Sequence, residues 1–443
     1  MKTSLRTILL LALSAISLSL RSQAPMELSL RSQAPMELSL DSAIEYAIRY
    51  NKTLINSRYA IDKSTQAIRQ AIAAGLPQAS ATVNYTDYLG ATASIQLSES
   101  MPASTIKFTP SSDFKVSVSQ LIFNGNYYIG VQLSKLAKKM TEQSYLNDEL
   151  DVKEQTIQAY YLVLANERIL NIIRENKANA QLILEKTTNL VNAGILEETD
   201  MKKLSVMVTT VDNQIKSTER ELELGYNLLR LHLGLESQQA VKLTSDLDQI
   251  ALRYIFNASV TDTFNIQNNV NYQMILTRKL MAKKNIQMQK SSYLPTLAAY
   301  YSYTEKIKKP LFDISPKNVL GVTMNIPILS GGQRFAQLKQ AKIEYDMSEN
   351  SKALLSQQLT IQERQLRYNY QNLYEQYLNQ KTNKEVAREV LDKMNLKYQQ
   401  GVISTLELTS ANTDYLNAET NFTNVLMLLL NAELTLRKTN NKL

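Results

Sequence analysis

Proline is confined to two windows of this 443-residue chain, and that distribution restricts the fold more than any other feature. All nine prolines lie between residues 25 and 110 or between 295 and 327, leaving Ser111–Leu294 and Ile328–Leu443 free of them. An interior proline costs a helix about 3 kcal/mol, so tracts of this kind are where long helices are permitted. Glycine is as sparse: only Gly194 falls between Gly130 and Gly225, and only Gly401 follows Gly332. The interval from Gly125 to Gly194 is 69 residues and that from Gly331 to Gly401 is 70. A helix of about 65 residues rises roughly 100 Å, against a mean globular helix of about eleven or twelve residues. The spacing predicts two such helices, each ending at its lone glycine, turning and sending back a second one. Ile129, Leu133, Leu136 and Met140, then Ile157, Tyr161 and Leu164, follow coiled-coil spacing with polar interruptions. That pattern predicts packing in a larger bundle, although a plain long coiled coil also satisfies it.

The proline-bearing windows carry a different period. In "ASATVNYTDY" from Ala79 and "FKVSVSQLIF" from Phe114, apolar and polar residues alternate, as they do in "VLGVTMNI" from Val319 and more weakly in "LAAYYSY" from Leu297. Period two with one apolar face predicts half-buried strands, with hairpin tips near Pro102, Pro110, Pro310 and Pro316. The two halves of the chain then align. The stretch from Asn51 falls on that from Asn269 without a gap, placing Leu76-Pro77 on Leu294-Pro295, and "AGILEETDM" from Ala193 falls on "QGVISTLEL" from Gln400. Pro77 to Gly125 is 48 residues and Pro295 to Gly331 is 36, so the first hairpin is the longer. Each half reads as helix, strand, hairpin, strand, very long helix, Gly turn, helix. Residues 37–233 form the first structural repeat and 260–443 the second, with 234–259 as a connector packed around the waist of the helices. "QLIFNG" and "IPILSGG" mark where each half leaves its strands for its long helix.

Residues 1–24 read as a signal peptide: a Lys/Arg-bearing start, then mostly apolar residues from Ile8 to Leu20. The decapeptide "RSQAPMELSL" at 21–30 recurs unchanged at 31–40, as a recent duplication or a cloning scar would, which leaves the cleavage site ambiguous. No other stretch is apolar for long enough to span a bilayer as a helix. Cysteine is absent, which excludes disulfides, thiol catalysis and Cys-metal sites, and the single histidine, His232, has no partner cluster. The net charge of +8 is spread among acids rather than blocked, as on a solvated helical surface, and argues against nucleic acid. With no phosphate-binding glycine loop and no nucleophile elbow, the chain does not read as an enzyme. No cofactor and no metal is expected. Four strands cannot close a membrane barrel, since the smallest bacterial barrels use eight, so a homo-oligomer must pool them; three copies supply twelve.

The turns Leu121–Gly125 ("LIFNG") and Pro327–Gly331 ("PILSG"), the Leu-Pro pairs at 76 and 294, and the Gly turns at 194 and 401 together resemble the TolC-type outer-membrane efflux and secretion channels. The resemblance covers roughly residues 37–440. It implies a mainly helical chain with a β-barrel part: a homotrimer with a 12-strand barrel in the outer membrane and a helical tunnel in the periplasm. It further implies passive conduction of substrates delivered by an inner-membrane pump of RND or ABC type through a periplasmic adaptor. Asp200, Glu407 and Tyr398 fall on the pore constriction, where three copies of an acid would favour cations. The residue-level reading of those acids is simply that they suit a helix N-terminus. Gly194, Ile195, Gly401 and Val402 are candidates for adaptor contact. Ile403 stands where some members carry a latch arginine, and Ser410 where a second acid can occur, which implies a single-acid constriction and a different closed-state latch. Tyr85, Tyr88, Tyr127, Tyr128, Tyr300, Tyr301 and Tyr303 are read as interfacial girdles or as ordinary strand tyrosines. The competing class is a periplasmic coiled-coil structural or adaptor protein without a barrel.

Overall fold

The computed structural model describes residues 35–95, 104–255, 264–310 and 313–443. The expected signal peptide, most of the duplicated stretch, Pro102 and the end of the connector lie outside the described residues. The chain opens with β1 (Met36–Leu38), α1 (Leu40–Tyr50) and α2 (Lys52–Ala73). Strand β2 (Gln78–Thr86), a short pair β3 (Thr92–Ile95) and β4 (Ser104–Lys107), and β5 (Ser111–Phe123) follow. Then come α3 (Gly125–Asn192), 68 residues long, and α4 (Glu198–Leu233). After β6 (Val241–Leu243), α5 (Leu247–Tyr254) and a single 3-10 turn, the second half runs α6 (Val270–Ser291), β7 (Thr296–Lys308), β8 (Asn318–Asn325), α7 (Gln333–Gln399), 67 residues long, and α8 (Thr405–Thr439). The duplicated element order is present, and each proline-free tract carries a helix of roughly 100 Å. The extra length of the first hairpin contains the β3–β4 pair.

The two strand-to-helix turns differ in mechanism. Asn124 caps α3, its side chain accepting from the backbone N–H of Asn126 (2.8 Å) and Tyr127 (3.2 Å). Gly125 is already helical; its missing Cβ leaves room for Ser291, whose Cβ would lie 2.7 Å from one built there. In the second copy Gly331 and Gly332 take left-handed φ of 55° and 85°, a conformation that suits glycine. Glycine therefore supplies a left-handed bend only at the second turn. On the first, glycine admits a neighbouring helix.

Each long helix carries two shorter partners end to end. The first half of α3 meets α2 through Ser57 and Asp148, and α6 through Ser291 and Asn126; its second half meets α4 through Arg174–Glu219 and α8 through Asn176–Asn412. Helix α7 likewise meets α6 through Lys279–Glu349 and α8 through the Tyr377–Phe422 ring pair. Asn51 and Asn269, equivalent in the repeat, splice the stacked partners. Asn51 accepts from Thr53 and Leu54 N–H to start α2 and donates from Nδ2 to the His232 carbonyl at the end of α4 (2.7 Å). Asn269 accepts from Tyr272 N–H and donates to the Thr439 carbonyl at the end of α8 (3.1 Å). One buried amide thus satisfies orphan groups of two helix ends at once. His232 itself is a half-buried residue of α4's last turn, and burial lowers its pKa.

The main core lies midway along the long helices. Tyr160, Tyr161, Leu229, Leu233, Leu426, Leu429, Leu430 and Leu434 are almost wholly buried there, each such side chain contributing about 1.5–3 kcal/mol. The parallel pair β1–β6, with α1 and α5, covers this waist. The Tyr160 hydroxyl donates to the Leu38 carbonyl (2.9 Å) and accepts from Ser245 N–H (3.2 Å). Ser39 caps α1. Met36–Leu40 of the second decapeptide copy are therefore structural residues.

Candidate functional site

Two regions carry the features singled out in the sequence: the sheet at one end of the long helices and the paired turns at the other. The sheet is four-stranded and antiparallel in the order β2-β5-β7-β8. Its register sorts most side chains by face, although Glu305 opposite Phe114 and Asn318 opposite Tyr303 add polar groups to the apolar side and Val319 opposite Ser302 an apolar one to the polar side. Ala81 opposes Val116, which opposes Tyr303; Ala79 opposes Val118, which opposes Tyr301 and then Leu320. With Val83, Phe114, Val322 and Met324 these form one apolar face, open enough that Leu320 is 81% exposed. The opposite face carries Ser80, Thr82, Asn84, Asp113, Lys115, Ser117, Ser302 and Thr304 in matched rows. Strands β2 and β8 each leave one edge without a strand partner among the described residues.

The tyrosines do not make one belt. Tyr85, Tyr301 and Tyr303 share the apolar face at different heights, whereas Tyr300 lies on the polar face with its ring over Gly321, where a Cβ would approach to 2.6 Å. Tyr127 and Tyr128 sit in the first turn of α3, and the Tyr127 ring occupies the space that a Cβ on Gly75 would need.

At the far end, the α3–α4 and α7–α8 turns are built alike. Gly194 (φ 74°) donates to the Val191 carbonyl and Ile195 to that of Leu190; Gly401 (φ 72°) donates to Tyr398 and Val402 to Lys397. This is the Schellman geometry, which needs a left-handed residue just past the helix. It turns Ile195 and Val402 outward, each 67% exposed.

The two acids that follow have different surroundings. Glu407 closes a capping box: its carboxylate accepts from Ser404 N–H (2.8 Å) and Ser404 Oγ (3.0 Å), while Ser404 Oγ accepts from Glu407 N–H (3.3 Å). The Ser404 backbone N–H, first among causes, holds the Glu407 carboxyl below its ordinary range. Asp200 lies in the first turn of α4, where the N-cap residue Glu197 makes no side-chain cap, and pairs loosely with Lys203 at 3.9 Å. Tyr398 is not bonded to Asp200. Its hydroxyl lies 2.8 Å from Thr187 Oγ1 on α3 and 3.5 Å from Thr405 Oγ1 on α8, joining both hairpins near the tip.

Sequence reasoning missed Thr187, Thr405, Asn176 and Asn412, which lie buried between the hairpins. The seven-residue spacing of Thr405, Asn412 and Glu419 on one helix was the available signal.

Residues 266–441 match the family of outer membrane efflux proteins. Over 240 residues the chain is 22% identical to the outer membrane protein TolC of Salmonella enteritidis, covering 52% of this chain and 48% of that one. Over 219 residues it is 22% identical to the proteases secretion protein PrtF of Dickeya chrysanthemi, covering 48% of this chain and 47% of that one. The matched stretches thus span about half the length of these relatives. Among solved structures, the Campylobacter jejuni CmeC outer membrane channel superposes with a TM-score of 0.69 at 15% identity, over 91% of this chain and 85% of that chain. Together with the duplicated helices and the two-faced sheet, these findings mark residues 266–441 as an outer membrane efflux protein domain and give the chain the fold of the solved outer-membrane channels.

Proposed function

We propose that the chain is the subunit of a trimeric exit duct that passively conducts cargo from an inner-membrane pump and a periplasmic adaptor to the exterior. The observation that carries this reading is a sheet with one mainly apolar face, one mainly polar face and two edges unpaired among the described residues, mounted on helices of roughly 100 Å. Open edges are not tolerated in lipid. Pairing β8 of one copy with β2 of the next removes them, and three copies give twelve strands with the apolar face toward lipid and the polar face toward water. Helix α7 supports the same assembly. Met347, Leu354, Ile361 and Tyr368 recur every seven residues, each more than half exposed, and fit the free side of the neighbouring copy's stacked α2 and α4.

Residues 37–233 and 260–443 act as the two repeats and 234–259 as the connector at the waist, where Ile250, Ala251 and Ile255 enter the core. In the trimer, Asp200 and Glu407 ring the periplasmic entrance with Tyr398 and favour cations, and Gly194, Ile195, Gly401 and Val402 meet the adaptor. A coiled-coil protein without a barrel leaves the apolar sheet face unexplained. The test is fractionation of the expressed protein, migration of unheated samples on a gel, and single-channel recording in a planar bilayer. Outer-membrane trimers with small, cation-preferring conductance are expected; soluble monomers without conductance would overturn the proposal.

A further inference from the structure

We infer that the outer surface of the helices just below the sheet is a basic collar that holds anionic phospholipid headgroups of the leaflet from which the helices emerge. The inference rests on the channel reading and adds a lipid preference to it.

The lysines concerned are scattered in the sequence and gathered by the fold. Below the sheet, α2, α3, α6 and α7 pack side by side in that order: the Tyr127 hydroxyl of α3 donates to the Ile72 carbonyl of α2, Ser291 of α6 to Asn126 of α3, and Lys279 of α6 pairs with Glu349 of α7. A helix in such a layer keeps two open faces. On one, Leu133 of α3, Arg278 and Asn285 of α6, and Glu344 and Ser351 of α7 line a groove. On the other, roughly half a turn round each helix, stand Lys135 and Lys139 of α3, Lys283 and Lys284 of α6, and Lys339 and Lys342 of α7. All but the half-buried Lys284 are exposed, and none of the six has a hydrogen bond or ion pair among the described residues. The acids that share this face are Glu142, paired with Lys138 at 3.6 Å, and Asp346.

Backbone handedness relates these faces to those of the sheet. Thr304, on the polar face of β7, donates its N–H toward β8, to the Lys317 carbonyl (2.7 Å). Viewed from the polar face with the helices below, an L-residue strand that rises in this way has β8 on its right. A right-handed α6 that rises with Arg278 toward the same viewer has Lys279, and with it α7, on its right too. The groove therefore continues the polar face of the sheet, and the lysines continue its apolar face. Tyr128 and Phe335, 51% and 70% exposed in the first turns of α3 and α7, close that apolar face.

Lys339 and Lys342 follow Phe335 by four and seven residues and Lys135 follows Tyr128 by seven, so their backbones lie roughly 6–10 Å below the aromatic level, with Lys139 at about 16 Å. Helices α3 and α7 begin at the sheet, so their side chains lean back toward it, and a lysine stem lies along apolar surface with its ammonium raised. A headgroup layer is about 5–7 Å deep, and its charge is felt over about 8 Å more at physiological salt. Lys283 and Lys284 lean the other way and add to the field without touching headgroups. Closing the layer into a tube makes the lysine face convex, which suits a charged surface rather than a discrete anion.

The test places the purified trimer in phosphatidylcholine vesicles doped with spin-labelled phosphatidylglycerol or spin-labelled phosphatidylcholine, and reads the protein-restricted fraction of each label by electron paramagnetic resonance. A preference for phosphatidylglycerol of about five-fold or more is expected, the ratio that one lysine beside an anionic surface supplies, falling toward unity at about 1 M salt. Lys135→Gln, Lys139→Gln, Lys339→Gln and Lys342→Gln combined should abolish the preference. Arg278→Gln on the groove face should leave it intact, as should Lys308→Gln with Lys309→Gln at the opposite rim of the sheet. Unheated gel migration checks that each variant assembles. A restricted fraction without lipid preference, or a preference lost only in the opposite-rim variant, would overturn the collar and leave the channel standing. Wild-type protein that sediments with purified peptidoglycan through the four lysines, with no lipid preference, would overturn it in favour of a polymer partner. Absence of a restricted fraction for either label would overturn the channel reading and the collar with it.

Discussion

Glu433 is the acid whose environment conflicts most with its charge, and its replacement by glutamine gives a quantitative test of how the waist is packed. Its side chain lies on α8 in the main core, the residue 4% exposed, with Oε2 lacking a hydrogen-bond partner. Tyr161 of α3 and Tyr370 of α7 face it, and Arg437, whose guanidinium stacks over Tyr254 of α5, approaches Oε1 only to 3.7 Å. Burial outweighs that arginine and pushes the Glu433 carboxyl up from 4.5 to about 7. A carboxyl raised on folding binds its proton more tightly in the folded state. The folded protein is therefore favoured below about pH 4.5, and stability falls as pH climbs through the window up to about 7. At 1.36 kcal/mol per pH unit that window amounts to roughly 3 kcal/mol, present as a constant penalty at pH 8.

Glu433→Gln keeps the shape and removes the charge. The expected result is a guanidinium midpoint, followed by circular dichroism in detergent, that is close to wild type at pH 5 and higher than wild type at pH 8. The difference between the two proteins should open across pH 5–7 and then stay level. Infrared difference spectra should show a protonated carboxyl near pH 6 in the wild type that the variant lacks. Parallel pH profiles for the two proteins, with no such carboxyl, would refute the argument that desolvation beats Arg437 at this site.

Four further outcomes follow from the same geometry. Asn269→Ala removes a helix cap and orphans the Thr439 carbonyl, for an expected loss of about 2–3 kcal/mol in chemical denaturation; Asn269→Asp keeps the cap acceptor, loses the donor, and should fall between. Leu354→Asp sets an unpaired carboxylate in the proposed contact between copies, a burial that costs several kcal/mol, and should abolish the trimer band on unheated gels. Glu407→Gln preserves the capping-box acceptor while removing charge, so loss of divalent-ion block in this variant and in Asp200→Ala, with assembly intact, would assign both acids to the entrance. Gly401→Ala meets no steric obstacle but must adopt φ 72°, at roughly 1–2 kcal/mol, and should speed amide exchange at the tip without disturbing the waist.

What the sequence made legible followed from residues that forbid conformations. Prolines excluded from two tracts and a lone glycine in each were sufficient to locate two helices of roughly 100 Å and their turns, because neither residue type acts through tertiary context. Strand alternation was equally readable, since an apolar face and a polar face leave a period of two in either copy. The identity of each turn's mechanism was not readable: Gly125 and Gly331 occupy equivalent places, yet one admits Ser291 and the other supplies a left-handed φ. The same limit explains Asn51 and Asn269. Their alignment in the repeat was visible, but that each joins two helix ends depends on α4 and α8 returning nearly two hundred residues away from the caps they complete. Asn412 and Glu419 carried no signal of their own in the sequence, and only their burial against Asn176 and Arg168 distinguishes them from residues of a solvated face. Duplication therefore wrote the frame twice in recognisable form, while the side chains that meet between the two hairpins are particular to each half.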